Sequence, residues 1–181
     1  MNEEKGFRME KTAYIIIDML NDFIDPKGAL YCGPGARDIV GPIGKSLSES
    51  RKHACPVFFL RDAHDEDDLE FNRFQRHCVA GTWGSEIIPE LAPIPGEFVV
   101  PKKRYCGFFG NDLETLLAGT GADAVRVAGV CTSICVMDTV GGLVNRDYRV
   151  AVSSREVADF DPEMHAFALK RMKNVYGAEI L

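Results

Sequence analysis

The sequence predicts an α/β protein, a Rossmann-like three-layer, doubly wound sandwich around a mainly parallel six-stranded sheet. Three observations predict it. Short apolar runs alternate with helix-period stretches along the chain. The runs are continuously apolar, as in strands covered on both faces. Asp18, Asp62, Lys102 and the turn carrying Cys135 all fall at or just after strand ends, where open α/β sheets bind ligands.

The elements follow in order. Ala13 to Asp18 is a buried strand ending in an acid, and helical spacing runs from Arg37 to His53 (Ile39, Val40, Ile43, Leu47), with Gly41-Pro42 placed to break its first turn. Pro56 to Leu60 is the second strand. From Asp62 to Pro95 the chain is acidic and irregular, a loop of the length usually reserved for function or disorder. Glu97 to Val100 is the third strand, Asp112 to Leu117 a helix, and Ala124 to Ala128 the fourth strand. A helical stretch from about Ser133 to Asn145 leads to a fifth strand, Arg149 to Val152. Pro162 opens a helix that runs to about Tyr176, and Ala178 to Leu181 closes the sheet.

At 181 residues, one domain over 1–181 is the economical reading, with residues 1–11 read as flexible. A net charge of −6 argues against a nucleic-acid surface. No apolar run approaches the roughly 20 residues of a membrane span. The polar start, Met1 to Lys11, reads as neither signal peptide nor lipid anchor. Six cysteines without a tight spacing framework suggest reduced thiols and a cytoplasmic protein.

Cys135 carries the most chemical information. It stands in the first turn of the helix after the fourth strand, where free backbone N–H groups favour a thiolate and can hold a developing oxyanion. Taken singly, Cys135 also reads as a small buried hydrophobe, Asp18 as a turn cap, and Lys102-Lys103-Arg104 as a solvated face. Taken together, Asp18, Lys102 and Cys135 make a unit for attack on a carbonyl. The carboxylate takes the thiol proton and delivers it to a leaving amine, while the lysine lowers the thiol pKa.

Three blocks then resemble the isochorismatase-like cysteine hydrolases, whose members include nicotinamidases, N-carbamoylsarcosine amidohydrolases and isochorismatases. Ile17-Asp18-Met19-Leu20-Asn21-Asp22-Phe23 matches D-x-x-N-D-F, Lys102 to Phe108 is similar to K-x-R-Y-S-A-F, and Gly129 to Val136 is similar to G-V-A-T-x-x-C-V. The resemblance runs from about Lys11 to Leu181. It implies Asp18, Lys102 and Cys135 as the catalytic triad, a cis peptide between Val130 and Cys131, and backbone N–H groups of Cys131 and Cys135 as the oxyanion hole. Cys131 replaces the usual alanine and reads as a small residue near the site. A disulfide with Cys135, or a redox role for that pair, is the alternative.

Asp62 and His64, two apart on extended chain, point the same way, and His77 lies further along the loop. One carboxylate and two imidazoles suit a divalent ion such as zinc, iron or manganese, whereas two histidines in an acidic loop are otherwise often only solvated. The text Arg61-Asp62-Ala63-His64, with His77-Cys78-Val79 and Gly81-Thr82 following, looks like the nicotinamidase metal site. Nicotinamidases commonly place a further histidine in this loop. Here Glu70 stands at about that position, and Asp65, Glu66, Asp67 and Asp68 compete with it. Phe23 and Phe74 match positions that sandwich the nicotinamide ring, with core packing the other reading for both. Trp83 reads as packing the loop.

The resemblance implies a metal-containing amidase acting on a small carboxamide, nicotinamide first, in a homo-oligomer (dimer or tetramer). The alternatives are an N-carbamoyl or maleamate-type amidase, an isochorismatase, or a non-catalytic metal- or ligand-binding protein.

Overall fold

Six parallel strands form one sheet in the order β3-β2-β1-β4-β5-β6, with β1 at Thr12–Ile17, β2 at Val57–Asp62, β3 at Phe98–Lys102, β4 at Ala124–Val130, β5 at Arg149–Ala158 and β6 at Glu179–Ile180. The computed structural model describes residues 11–181, so the start expected to be flexible lies, apart from Lys11, outside the described residues. The strand order reverses direction between β1 and β4, which makes their carboxyl ends the topological switch point.

Two apolar layers explain the unbroken hydrophobic runs. Ala13, Ile15 and Ile17 of β1 face one core, closed by the helices α4 (Leu113–Gly119), α5 (Met137–Val144) and α6 (Pro162–Asn174). Tyr14 and Ile16 face the other, closed by α1 (Asn21–Ile24), α2 (Pro34–Asp38) and α3 (Val40–Lys52). Each fully buried Ile of β1 contributes about 2 kcal/mol of transfer free energy.

Among the elements that differ from expectation, four have a local reason. The helix expected from Arg37 is two: the turn at Pro34–Asp38 ends at Ile39, and Pro42 falls inside the first turn of α3, where a missing N–H costs no hydrogen bond. Strand β3 runs on to Lys102 through Pro101, which an edge strand tolerates. Strand β5 continues past Val152 to Ala158 through a bulge at Ser153-Ser154-Arg155-Glu156, a polar text that reads as loop. Glu156 is nonetheless buried, accepting hydrogen bonds from Tyr14 Oη (3.0 Å) and Ser46 Oγ (2.6 Å) and pairing with Arg126. The loop after β2 holds three 3₁₀ turns, Leu69–Asn72, Trp83–Ser85 and Pro89–Leu91, too short to show a period.

Candidate active site and metal centre

The ends of β1, β2 and β3 bring three charges together by register alone. Asp62 is paired with Lys102 across β2 and β3, and the Asp62 N–H donates to Asp18 Oδ1 at 2.9 Å. Asp18 itself has φ 54°, a left-handed conformation that aspartate tolerates better than most side chains and that turns the chain off the strand end. Beside it Gly129 has φ 119°, and a Cβ there would lie 1.9 Å from the Ile17 carbonyl oxygen. Only glycine lets β4 pass this close to the end of β1.

Lys102 Nζ is the hub. It lies 2.8 Å from Asp18 Oδ2, 2.6 Å from Asp62 Oδ1 and 3.4 Å from Cys135 Sγ, and all four residues are buried. Burial opposes its charge, but the two carboxylates outweigh burial and hold the lysine firmly protonated. For Asp18, burial and the charge of Asp62 prevail over Lys102 and raise its pKa to about 7. Asp62, despite its burial, is held below the usual carboxylate range by Lys102 and His64. Two carboxylates sharing one cation thus separate into an ionised one and one poised near neutrality.

Cys135 sits in a single π-helical turn, Thr132–Val136, wedged between β4 and α5. Opposed influences act on its thiol. Lys102 does lower its pKa, but burial is the larger influence, and the thiol is held well above its ordinary value. A thiol in this position keeps its proton until a base takes it, and the Asp18 carboxyl within hydrogen-bonding reach is the available base. The Val130–Cys131 peptide is cis. The turn is pinned from outside by Asp159, whose Oδ2 accepts from the Ser133 N–H at 2.7 Å, and by His165 Nδ1, 2.9 Å from Thr132 Oγ1. Sequence reasoning missed both residues, because neither lies near the motif in the chain. Cys131 contacts Cys32, sulfur to sulfur at 3.3 Å, rather than Cys135.

The second cluster adjoins the first through Asp62. Ligand atoms of Asp62, His64 and His77 lie within 4.8 Å of one another, all three side chains buried. Each histidine has its Nδ1 occupied, in His64 by Asp68 (3.0 Å) and in His77 by the Gln75 carbonyl (2.7 Å). That leaves Nε2 of each facing inward, the arrangement metal-ligating histidines adopt. His64 Nε2 and Glu70 Oε2 are buried without a hydrogen-bond partner. Glu70 stands outside the compact trio, its Oε1 4.0 Å from His77 Nε2. Burial keeps His77 neutral and below its ordinary pKa. Burial also presses on His64, but Asp62 and Asp68 outweigh it and raise its pKa to about 9. Orphaned acceptors and fixed tautomers fit a divalent cation, whose charge would take the place of the His64 proton. Asp68 therefore acts as the support of His64, itself held by Arg104 at 3.0 Å.

The loop is hung on the motif that follows Asp18. Asp22 accepts from the N–H groups of Ala29 (2.9 Å) and Cys78 (2.7 Å), and Asn21 Nδ2 donates to the Trp83 carbonyl at 2.8 Å. Gly84 lies so close that a Cβ there would meet the Asp22 carboxylate at 2.0 Å. Trp83 is half exposed and contributes its carbonyl; its side chain stands away from the cavity.

A narrow cavity opens over both clusters. Asp18, Asp62, Glu70, His77, Cys131 and Cys135 form its floor, and Phe23, Leu30, Phe74, Tyr105, Ile134 and Phe160 its walls. Phe23 and Phe74 both flank His77, with ring centroids 5.4 and 6.4 Å away. Leu30 and Phe160 carried no functional signal in the sequence, and Tyr105 and Ile134 stood inside the matched blocks without a role of their own. No lining side chain among the described residues is a cation.

Comparison with known proteins agrees with this architecture. A sequence model of the isochorismatase domain matches residues 12–181. The nicotinamidase/pyrazinamidase PncA of Bacillus subtilis is 35% identical with a TM-score of 0.89, over 94% of this chain and 98% of that one. N-carbamoylsarcosine amidase of Thermoplasma acidophilum is also 35% identical, with a TM-score of 0.85 over 94% and 95%. A pyrazinamidase of Pyrococcus horikoshii, solved in complex with zinc, is 28% identical with a TM-score of 0.88 over 94% and 98%.

Proposed function

This chain belongs to the isochorismatase family of hydrolases, and from that premise we propose that it is a nicotinamidase-type cysteine amidohydrolase, converting nicotinamide or a similar small carboxamide to the acid and ammonia. One observation carries the choice of substrate class. The cavity pairs aromatic and aliphatic walls with carboxylates and offers no cationic side chain. A neutral aromatic amide fits such walls. A substrate with its own carboxylate, such as an N-carbamoyl amino acid, would meet no cationic side chain on those walls, only the ion that Asp62, His64 and His77 would hold.

In this reading Asp18 takes the Cys135 proton and the thiolate sulfur attacks the carboxamide carbon. Lys102 stays charged, offsetting the negative charge that moves between Asp18 and sulfur. The backbone N–H groups of Cys131 and Cys135 receive the oxyanion. Asp18, now protonated, gives its proton to the departing ammonia, leaving an acyl thioester. Asp18 in its base form then activates a water that releases the acid. Phe23 and Phe74 hold the ring flat between them. Asp62, His64 and His77, with Glu70 as a further donor, would hold a divalent ion (zinc, iron or manganese). When bound, such an ion supplies a Lewis-acid contact that orients the ring nitrogen.

The test is ammonia release from nicotinamide and from N-carbamoylsarcosine, before and after chelation. The expected result is nicotinamide turnover favoured by at least about 100-fold in kcat/KM, lost on chelation and restored by added metal. Ammonia from the carbamoyl acid alone would overturn the substrate assignment, and isochorismate cleavage without ammonia would overturn the amidase.

A further inference from the structure

At and behind the cavity floor lies a pair of thiols that the proposed chemistry does not use. Cys32 Sγ and Cys131 Sγ are 3.3 Å apart, both side chains are buried, and both are free thiols. They come from distant parts of the chain, Cys32 from the loop after α1 and Cys131 from the residue after β4. Cys131 lines the cavity beside Cys135, while Cys32 stands behind it and does not. A reagent small enough for the cavity therefore reaches Cys131 first and finds a second sulfur already in contact with it.

We propose that Cys32 and Cys131 are a reversible disulfide site, oxidised by hydrogen peroxide, and that closing the disulfide switches off the neighbouring Cys135 site. The step balances in two parts. The Cys131 thiol is oxidised by peroxide to the sulfenic acid, with release of one water. The Cys32 sulfur then attacks the sulfenic sulfur and expels the second water, forming the S–S bond. Two thiols lose two electrons, and peroxide is reduced to two waters.

Both sulfurs are anchored, so a covalent bond shorter than the present contact has to move something functional. On one side, Cys32 donates its N–H to the Phe23 carbonyl at 2.9 Å, and Leu30 donates to the Asp22 carbonyl at 3.1 Å. These hydrogen bonds tie the Cys32 loop to Phe23 and Asp22, a cavity wall and the residue that supports the metal loop. On the other side, Cys131 precedes the turn that carries Cys135, and its own N–H is one of the two groups assigned to the oxyanion. Drawing Cys131 towards Cys32 shifts that donor relative to the thiol, and a misplacement of about 1 Å at a reacting centre costs on the order of 100-fold in rate. The pair is thus placed to couple peroxide exposure to the amidase activity, and a thiol reductant reverses it.

The experiment treats the reduced, full-length protein with hydrogen peroxide, alkylates the remaining thiols and maps the tryptic peptides. Cys32 lies in the peptide 28–37, and Cys131 and Cys135 both lie in 127–146. The expected result is a crosslink between these two peptides in the wild type and equally in Cys135→Ala, which identifies Cys131 as the partner. Amide turnover should fall by at least about tenfold as the crosslink forms and return with dithiothreitol. Cys32→Ala and Cys32→Ser should keep basal turnover, form no crosslink and lose the reductant-reversible inhibition. A crosslink that disappears in Cys135→Ala, a pair that stays reduced while Cys135 oxidises, or a crosslinked enzyme of undiminished rate would each overturn the proposal. The inhibition arm rests on the amidase reading, whereas the peptide map does not. A protein inactive on every amide that still forms the crosslink would refute the activity and retain the disulfide site.

Discussion

The two halves of the cavity floor are built by different means. Asp18 and Lys102 sit at strand ends and Cys135 in the turn that leaves one, and strand register sets the distances among them. His64, Glu70 and His77 sit on a loop whose strand-like pairing is limited to two isolated bridges, His64 with Val79 and Ile87 with Leu20, and individual hydrogen bonds set their positions, from the Asp68 and Asp22 carboxylates and the Gln75 carbonyl. The first half is rigid because the whole sheet would have to move to disturb it. The second depends on a few buried hydrogen bonds, each replaceable by a single mutation. Asp62 belongs to both, its Oδ1 on Lys102 and its Oδ2 3.7 Å from His64 Nε2.

That contrast can be broken at several points, with effects of decreasing size. Cys135→Ala should lower turnover by more than about 10⁴-fold with folding and metal content unchanged, measured by ammonia release, circular dichroism and elemental analysis. Residual activity near wild type would remove the nucleophile from the mechanism. Asp62→Asn should be the one substitution that damages both halves, reducing bound metal and also lowering the pKa of Asp18, whose rise owes part to the Asp62 charge. Loss of metal with an unmoved pH profile would show the halves to be independent.

The pH profile tests the rigid half alone. Asp18 acts as a base only when ionised, and its pKa is raised to about 7 in the folded protein. Activity should therefore fall about tenfold per unit as pH drops below about 7 and level off above it. A rate–pH curve of kcat/KM whose acid limb begins near pH 4 would contradict this. The smallest effect belongs to the loop's supports. Asp68→Asn frees His64 without touching the triad and should weaken metal affinity by about 10- to 100-fold, read by titration with a competing chelator. The rate of Cys135 alkylation by iodoacetamide should stay at the wild-type value in this variant.

The same contrast decides what could be read in advance. The Asp18, Lys102 and Cys135 positions were legible because a strand announces itself by a continuous apolar run and its carboxyl end follows. Asp62, His64 and His77 were legible as a set through the resemblance of their text, but not through periodicity, since 3₁₀ turns of three or four residues leave none. Asp159 and His165 were illegible for another reason. Each supports the nucleophile turn across more than 25 residues of chain, at separations of 26 and 33, and nothing local marks them. Glu156 was illegible too, because a charged residue following two serines and an arginine reads as solvated until Tyr14 and Ser46 are seen to hold it.

What the sequence determined by itself was the doubly wound α/β architecture and the set of chemical groups at one sheet edge. Hydrophobic periodicity is a local property, and strand ends inherit their residues from it. The tertiary structure decided which of two neighbouring carboxylates is poised near neutrality, that burial outweighs Lys102 at the Cys135 thiol, and that Cys131 meets Cys32. Those outcomes depend on burial and on distances between residues far apart in the chain. Electrostatic interactions in a dry interior change steeply with both quantities, and neither is encoded in the spacing of letters.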